Sequence, residues 1–76
     1  PRFKKTNIPK PGNVILSPSS YGNGSIKGHV GCFLEDTKIA SNSSKTGLWT
    51  QNFTLDTWAA RYRGIGGIPV YIFELV

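Results

Sequence analysis

Methionine is absent from the 76 residues, cysteine and histidine occur once each, and only four side chains are acidic. Each shortage excludes something. A single cysteine can close no internal disulfide and build no cysteine-rich metal site, so the cysteine count leaves the redox compartment open. The acids Glu35, Asp36, Asp56 and Glu74 are scattered through an expected turn, a helix start and a strand. No paired-carboxylate centre, hard-cation cage or other metal site is expected from them. The glycine-rich stretch from Gly64 to Pro69 departs from the GxGxxG pattern, because Pro69 stands where the last glycine belongs. It predicts a chain-reversing loop and no cofactor. No apolar run is long enough to span a bilayer, and no segment has the make-up of a signal peptide, so no membrane role is expected. With no methionine and Pro1 first, the chain is expected to be less than a complete translation product.

What is present is patterned. Hydrophobic residues make up 38% of the chain and aromatics 12%, spaced between regular turn signals, which predicts one small globular domain with a modest core. The formal charge of +5 comes from nine Lys and Arg, with Arg2, Lys4, Lys5 and Lys10 concentrated at the start. Such a segment favours polyanions, either nucleic acid or an anionic wall polymer. Three of the five prolines fall in "PRFKKTNIPKPG", so residues 1–10 are expected as an extended basic lead-in and residues 11–76 as the domain.

The domain should be a small antiparallel β-sheet or half-barrel with one short helix, of the α+β class. Strands are expected at Asn13–Ser17 and Ile26–Leu34, separated by the Gly, Ser and Asn loop "PSSYGNGS", and again at "TKIASN" after a Glu35–Asp36 turn. Thr54 is a plausible N-cap for "LDTWAARYR", with Asp56 in its first turn and Gly64 as its terminator. Pro69 then leads into an apolar last strand, "VYIFELV". Trp58 is expected in the core, while Trp49 is left undecided between core and groove.

Between Ile26 and Leu34 the even positions are Ile26, Gly28, Val30, Cys32 and Leu34, and the odd ones Lys27, His29, Gly31 and Phe33. Side chains alternate across a strand, so His29 and Cys32 project from opposite faces and cannot act as a pair. The even face is the expected core face, where Cys32 would behave as a small hydrophobe. With a two-residue turn, Cys32 would face Ile39 and His29 would face Asn42; a longer loop would make Ser41 or Ser43 the neighbour. An imidazole whose second nitrogen is held by a polar side chain keeps one tautomer and orientation, as a general base requires. A surface histidine beside a polar neighbour is the plainer alternative.

The stretches "PGNVILSPSSYG", "GHVGCFLEDTKIASNSSKTGLWTQNFTLDTWAARY" and "GGIPVYIFEL" together resemble the C-terminal, β-rich half of a papain-like peptidoglycan amidase or endopeptidase of the CHAP group. That group is close to the NlpC-type wall peptidases and common in phage lysins. The resemblance covers Pro11 to Val76 and is carried most specifically by "GHVG" opening a strand. It implies the β half of a papain-like cysteine peptidase domain, with His29 as the base and Asn42 as the residue that orients it. The nucleophile does not carry over, because the family's cysteine precedes the histidine on a helix, whereas Cys32 follows His29 on its own strand. The expectation is therefore a wall-hydrolase fragment, inactive alone, whose cysteine-bearing half lies elsewhere. Its partners would be peptidoglycan peptide or another anionic wall polymer, and its place extracellular or at a bacterial wall. Ser41, Ser43 and Ser44 are stand-in nucleophiles on proximity alone. A non-catalytic wall-binding β-module is the alternative. A nucleic-acid binder ranks third, for want of closely spaced aromatics on one strand face.

Overall fold

The computed structural model describes residues 2–19, 28–43 and 45–76. Among these residues six strands form one antiparallel sheet: β1 (Phe3–Thr6), β2 (Val14–Ser17), β3 (His29–Phe33), β4 (Lys38–Asn42), β5 (Trp49–Thr54) and β6 (Tyr71–Leu75), in the spatial order β1-β6-β2-β3-β4-β5. Between β5 and β6 runs the helix α1 (Leu55–Trp58), which widens into a π-helical continuation, Ala59–Ile65. The molecule is thus the expected small antiparallel sheet with one helix, of the α+β class, with β1 and β5 as the outermost of the described strands. Most of the expected "PSSYGNGS" loop, the first two residues of the strand expected from Ile26, and Ser44 lie outside the described residues.

Two strands were not expected. Residues 3–6 belong to the ladder, with Phe3 opposite Leu75 and Thr6 opposite Ile72. The prolines of the lead-in, Pro9 and Pro11, come after this stretch and leave its amides free to pair. The other is β5, a polar and exposed edge strand whose pairing with β4 is interrupted by a bulge. Ile39 faces Phe53 and Ala40 faces Gln51, so Asn52 is the extra residue. The turn before β2 is tied to the end of β3 by two backbone bonds, Gly12 N–H to Phe33 O at 2.9 Å and Phe33 N–H to Asn13 O at 2.8 Å.

The hairpin between β3 and β4 has a three-residue loop, Glu35–Thr37, closed by Leu34 N–H donating to Lys38 O at 2.8 Å. A two-residue primed turn would place Glu35 and Asp36 at positive φ, and among the described residues no non-glycine adopts it. The register therefore moves by one, and Cys32 pairs with Ala40 rather than Ile39.

The helix covers the face that carries Ile15, Phe33, Ile39 and Ile72, and it contributes Trp58 and Tyr62; Ile68 completes the core. This corrects the expected orientation of β3. The odd positions, His29, Gly31 and Phe33, point toward the helix, while Val30 is 48% exposed and Cys32 half-buried on the other side. The reason is Gly31. A Cβ there would sit 2.7 Å from Ile39 Cγ2 and 3.2 Å from the Trp58 ring, so the bare backbone is the seat of the indole and not a gap in an apolar stripe. At the N-terminus of the helix, Thr54 Oγ1 accepts from Thr57 N–H at 3.2 Å and Thr57 Oγ1 accepts from Thr54 N–H at 2.8 Å, a reciprocal cap. The other end is closed later than expected. Gly64 is inside the π-helical stretch; Gly67, at φ +64°, turns the chain so that Ile68 N–H reaches Tyr62 O at 2.7 Å.

Candidate functional site

His29 opens β3 directly opposite Ser17 of β2, on the helix-covered face. Its imidazole lies over the Trp58 ring, centroids 5.7 Å apart and planes 27° from parallel, and beside the Tyr62 ring at 6.2 Å and 19°. Trp58 is itself fixed. It is fully buried, packs edge-on against Phe53 with centroids 5.1 Å apart, and donates Nε1–H to the buried Ser17 Oγ at 3.0 Å. Ser17 thus anchors the indole that supports the histidine facing it. Stacking fixes the plane of an imidazole and leaves its nitrogens at the ring edge, where they can make in-plane hydrogen bonds. Among the described residues, no side chain hydrogen-bonds to the His29 ring.

The glycines of "GHVG" have a packing explanation. A Cβ at Gly28 would collide with backbone atoms of Ser17, Pro18 and Ser19, and one at Gly31 with Ile39 and Trp58. Both keep neighbouring elements close to the strand, which places His29 against the aromatic pair.

The other expected site residues are not gathered around it. Asn42, the last residue of β4, pairs with Trp49 of β5, is exposed, and by strand parity projects from the opposite face. With the register shifted by one, Ser41 faces Gly31, where the ladder between the two strands ends, and Ser43 lies beyond the end of β4, its N–H donating to Leu48 O at 2.8 Å. Ser41 is fully buried and donates to Asn52 Oδ1 at 2.8 Å; Ser43 Oγ accepts from Lys45 N–H at 3.3 Å. Both hydroxyls are engaged in holding β4, its bulged neighbour and the following turn. Cys32 lies on the face opposite His29, flanked in register by Val14 and Ala40. That separation agrees with the alternation in the sequence, although the face that carries the thiol is not the core.

Ser17 had no signal of its own in the sequence, since its contact with Trp58 spans 41 positions, whereas helical spacing already places Tyr62 on one face with Leu55, Trp58 and Ala59. Burial raises the Tyr62 phenol above its ordinary pKa, with the adjacent Arg61 guanidinium opposing the shift. Trp49 is 59% exposed at the start of the β5 edge, outside the core. No three His, Cys, Asp or Glu come together to hold a metal ion among the described residues. No helix there is long and apolar enough to cross a membrane. Compared with known proteins, the chain has no significant match among family models, curated proteins or solved structures.

Proposed function

We propose that this chain is the base-bearing half of a papain-like cysteine amidase or endopeptidase acting on bacterial peptidoglycan, with His29 as general base. The observation that supports this reading is the seat of His29: a half-buried imidazole at the end of a central strand, its plane held by Trp58 and Tyr62. A base must be oriented before it is useful, and here the orienting contacts are aromatic rather than amide. Asn42 has no part in the proposal, being on the far side of β4.

The thiol comes from outside these residues, because the chain has one cysteine and that cysteine faces away from His29. In the proposed reaction His29 takes the proton of that thiol, and the thiolate adds to the amide carbonyl. The imidazolium then returns the proton to the leaving amine, and water hydrolyses the thioester with His29 again as base. The net charge of +5 suits an anionic wall polymer and a place of action at the bacterial wall.

The test is turnover of purified peptidoglycan by the complete gene product. We expect cleavage that a thiol-alkylating reagent stops, and a loss of about 10²–10⁴-fold for His29→Ala, the range that general acid–base groups supply. Cleavage that survives His29→Ala would overturn the proposal. A second reading, a non-catalytic wall-binding module, is favoured by the lack of any thiol on the His29 side. Saturable binding to the wall, with no cleavage and no response to His29→Ala, would establish it instead.

A further inference from the structure

The face of the sheet away from the helix is also apolar. Antiparallel sheets that leave one face in water normally alternate apolar with polar residues. In the four strands β1, β6, β2 and β3 the alternation fails, because Phe3, Val14, Leu16, Val30 and Phe73 line one continuous groove of about 250 Å³. Its walls present no polar atom. On the scale of apolar cavities that admit a benzene ring, roughly 150 Å³, this volume admits one or two large side chains.

The walls limit what can enter. The backbone groups of β6 and β2 at the middle of the groove floor are committed to ladders on both sides, so an extended peptide or a sugar lying on this face would lose its own hydrogen bonds to water and gain none from them. An occupant must arrive with its backbone already satisfied, as a helix or as another sheet. The width suits the first: four strands spaced about 4.8 Å apart span roughly 14 Å, close to the ~10 Å diameter of one helix. Charge counts against the second. Lys5 on β1 and, by parity with Ala40, Lys38 on β4 point from this same face on either side of the apolar strip, Lys38 with the exposed Glu35 carboxylate 3.7 Å away. A second copy would bring a matching Lys5 and a further net charge of +5 toward them. Lys5 folds its ammonium over the Tyr71 ring at 4.5 Å, which keeps that cation at the rim.

We infer that this face docks an amphipathic α-helix of another polypeptide segment, one with an apolar stripe flanked by carboxylates. The helix of this chain is already engaged on the opposite face, and the inference is independent of any role for His29.

The experiment titrates the whole 76-residue chain with three designed peptides of about 18 residues, long enough for a marginally stable helix. One carries a leucine stripe with Glu flanks, one the same stripe with Lys flanks, and one is a scramble of the first. Calorimetry and amide chemical shifts are the readouts. Saturable one-to-one binding of the Glu-flanked helix is expected, at least tenfold tighter than the Lys-flanked one, with shifts confined to β1, β6, β2 and β3. Val30→Glu, at an exposed position where folding is preserved, should abolish it; Phe3→Ser at the sheet edge should weaken it. Equal binding of the scramble, or no binding of either helix, overturns the inference. So does a two-fold dimer in sedimentation that Val30→Glu dissolves, or binding to phosphatidylglycerol vesicles in preference to the helix.

Discussion

Gly31 sets how closely the helix approaches the sheet. Any side chain there meets Ile39 Cγ2 at 2.7 Å, closer than real Cβ atoms come, and the Trp58 ring at 3.2 Å, tighter than ordinary van der Waals contact. Gly31→Ala should therefore lift the indole, stretch its bond to Ser17 and cost about 1–3 kcal/mol, as overpacking of a core does; the urea midpoint measures it. Because the same movement removes the surface on which His29 stacks, the His29 ring resonances should shift in that variant as well. Ser17→Ala approaches the same contact from the other end. It leaves a buried indole N–H without an acceptor, at about 1–3 kcal/mol. A urea midpoint equal to wild type would show that the bond contributes nothing. Tyr62 adds a dependence on pH. Its phenol is raised in the folded state, so its contribution to stability is whole below about pH 10, where a free phenol titrates. Above that the unfolded chain ionises first, and stability falls until the folded phenol ionises too. Tyr62→Phe should flatten this alkaline decline in the denaturation midpoint while leaving the neutral range little changed.

The helix depends on its first turn more than on its length, since four α-helical residues pass directly into a seven-residue π-helical stretch. The Thr54–Thr57 reciprocal cap satisfies two of the backbone donors that such a start exposes. Thr54→Ala should lower stability by about 1 kcal/mol in thermal or urea unfolding; no change would mean that packing of Trp58 and Tyr62 alone holds the element. This cap was readable in the sequence, and so were β2, β3, β4 and β6, because each combines an apolar or alternating run with turn residues at its ends. The unread strands lack that signal. In β1, "FKKT" is held by its ladder to the C-terminus and not by burial, and β5, "WTQNFT", is a mostly exposed edge. The parity of His29 and Cys32 was readable too, but which parity faces inward was not. Val30, Cys32 and Leu34 look more like a core stripe than Gly31 and Phe33 do, and only the approach of Ile39 and Ala40 from β4 and of Trp58 from the helix makes a glycine a crowded point of the strand. The aromatic seat of His29 was unreadable for the same reason, being built from residues that neighbour it in space alone.

At the scale of the whole molecule, the chain ends close to where it starts. Strands β2 to β5 follow one another as a meander, but β6 returns past β3, β4 and β5 to insert between β2 and β1. It supplies Ile72 to the core and is, among the described residues, the only strand paired with β1. Contacts this distant in sequence carry the loop-closure entropy of nearly the full chain, and sheets built on them fold slowly and late. The last strand should therefore decide whether the sheet exists at all, whereas the first should only add to it. Ending the chain after Pro69 removes β6, leaves β1 without a partner and strips β2 of one ladder. The product should show no cooperative thermal transition and poorly dispersed amide resonances. Removing residues 1–7 instead leaves β6 as a new edge, with the core untouched. That variant should keep a dispersed spectrum and a single transition at a lower temperature. If both truncations unfold alike, β1 is part of the cooperative unit; if both stay folded, the meander and its helix are stable without the return strand, and the sheet is held together by β2 to β5 alone.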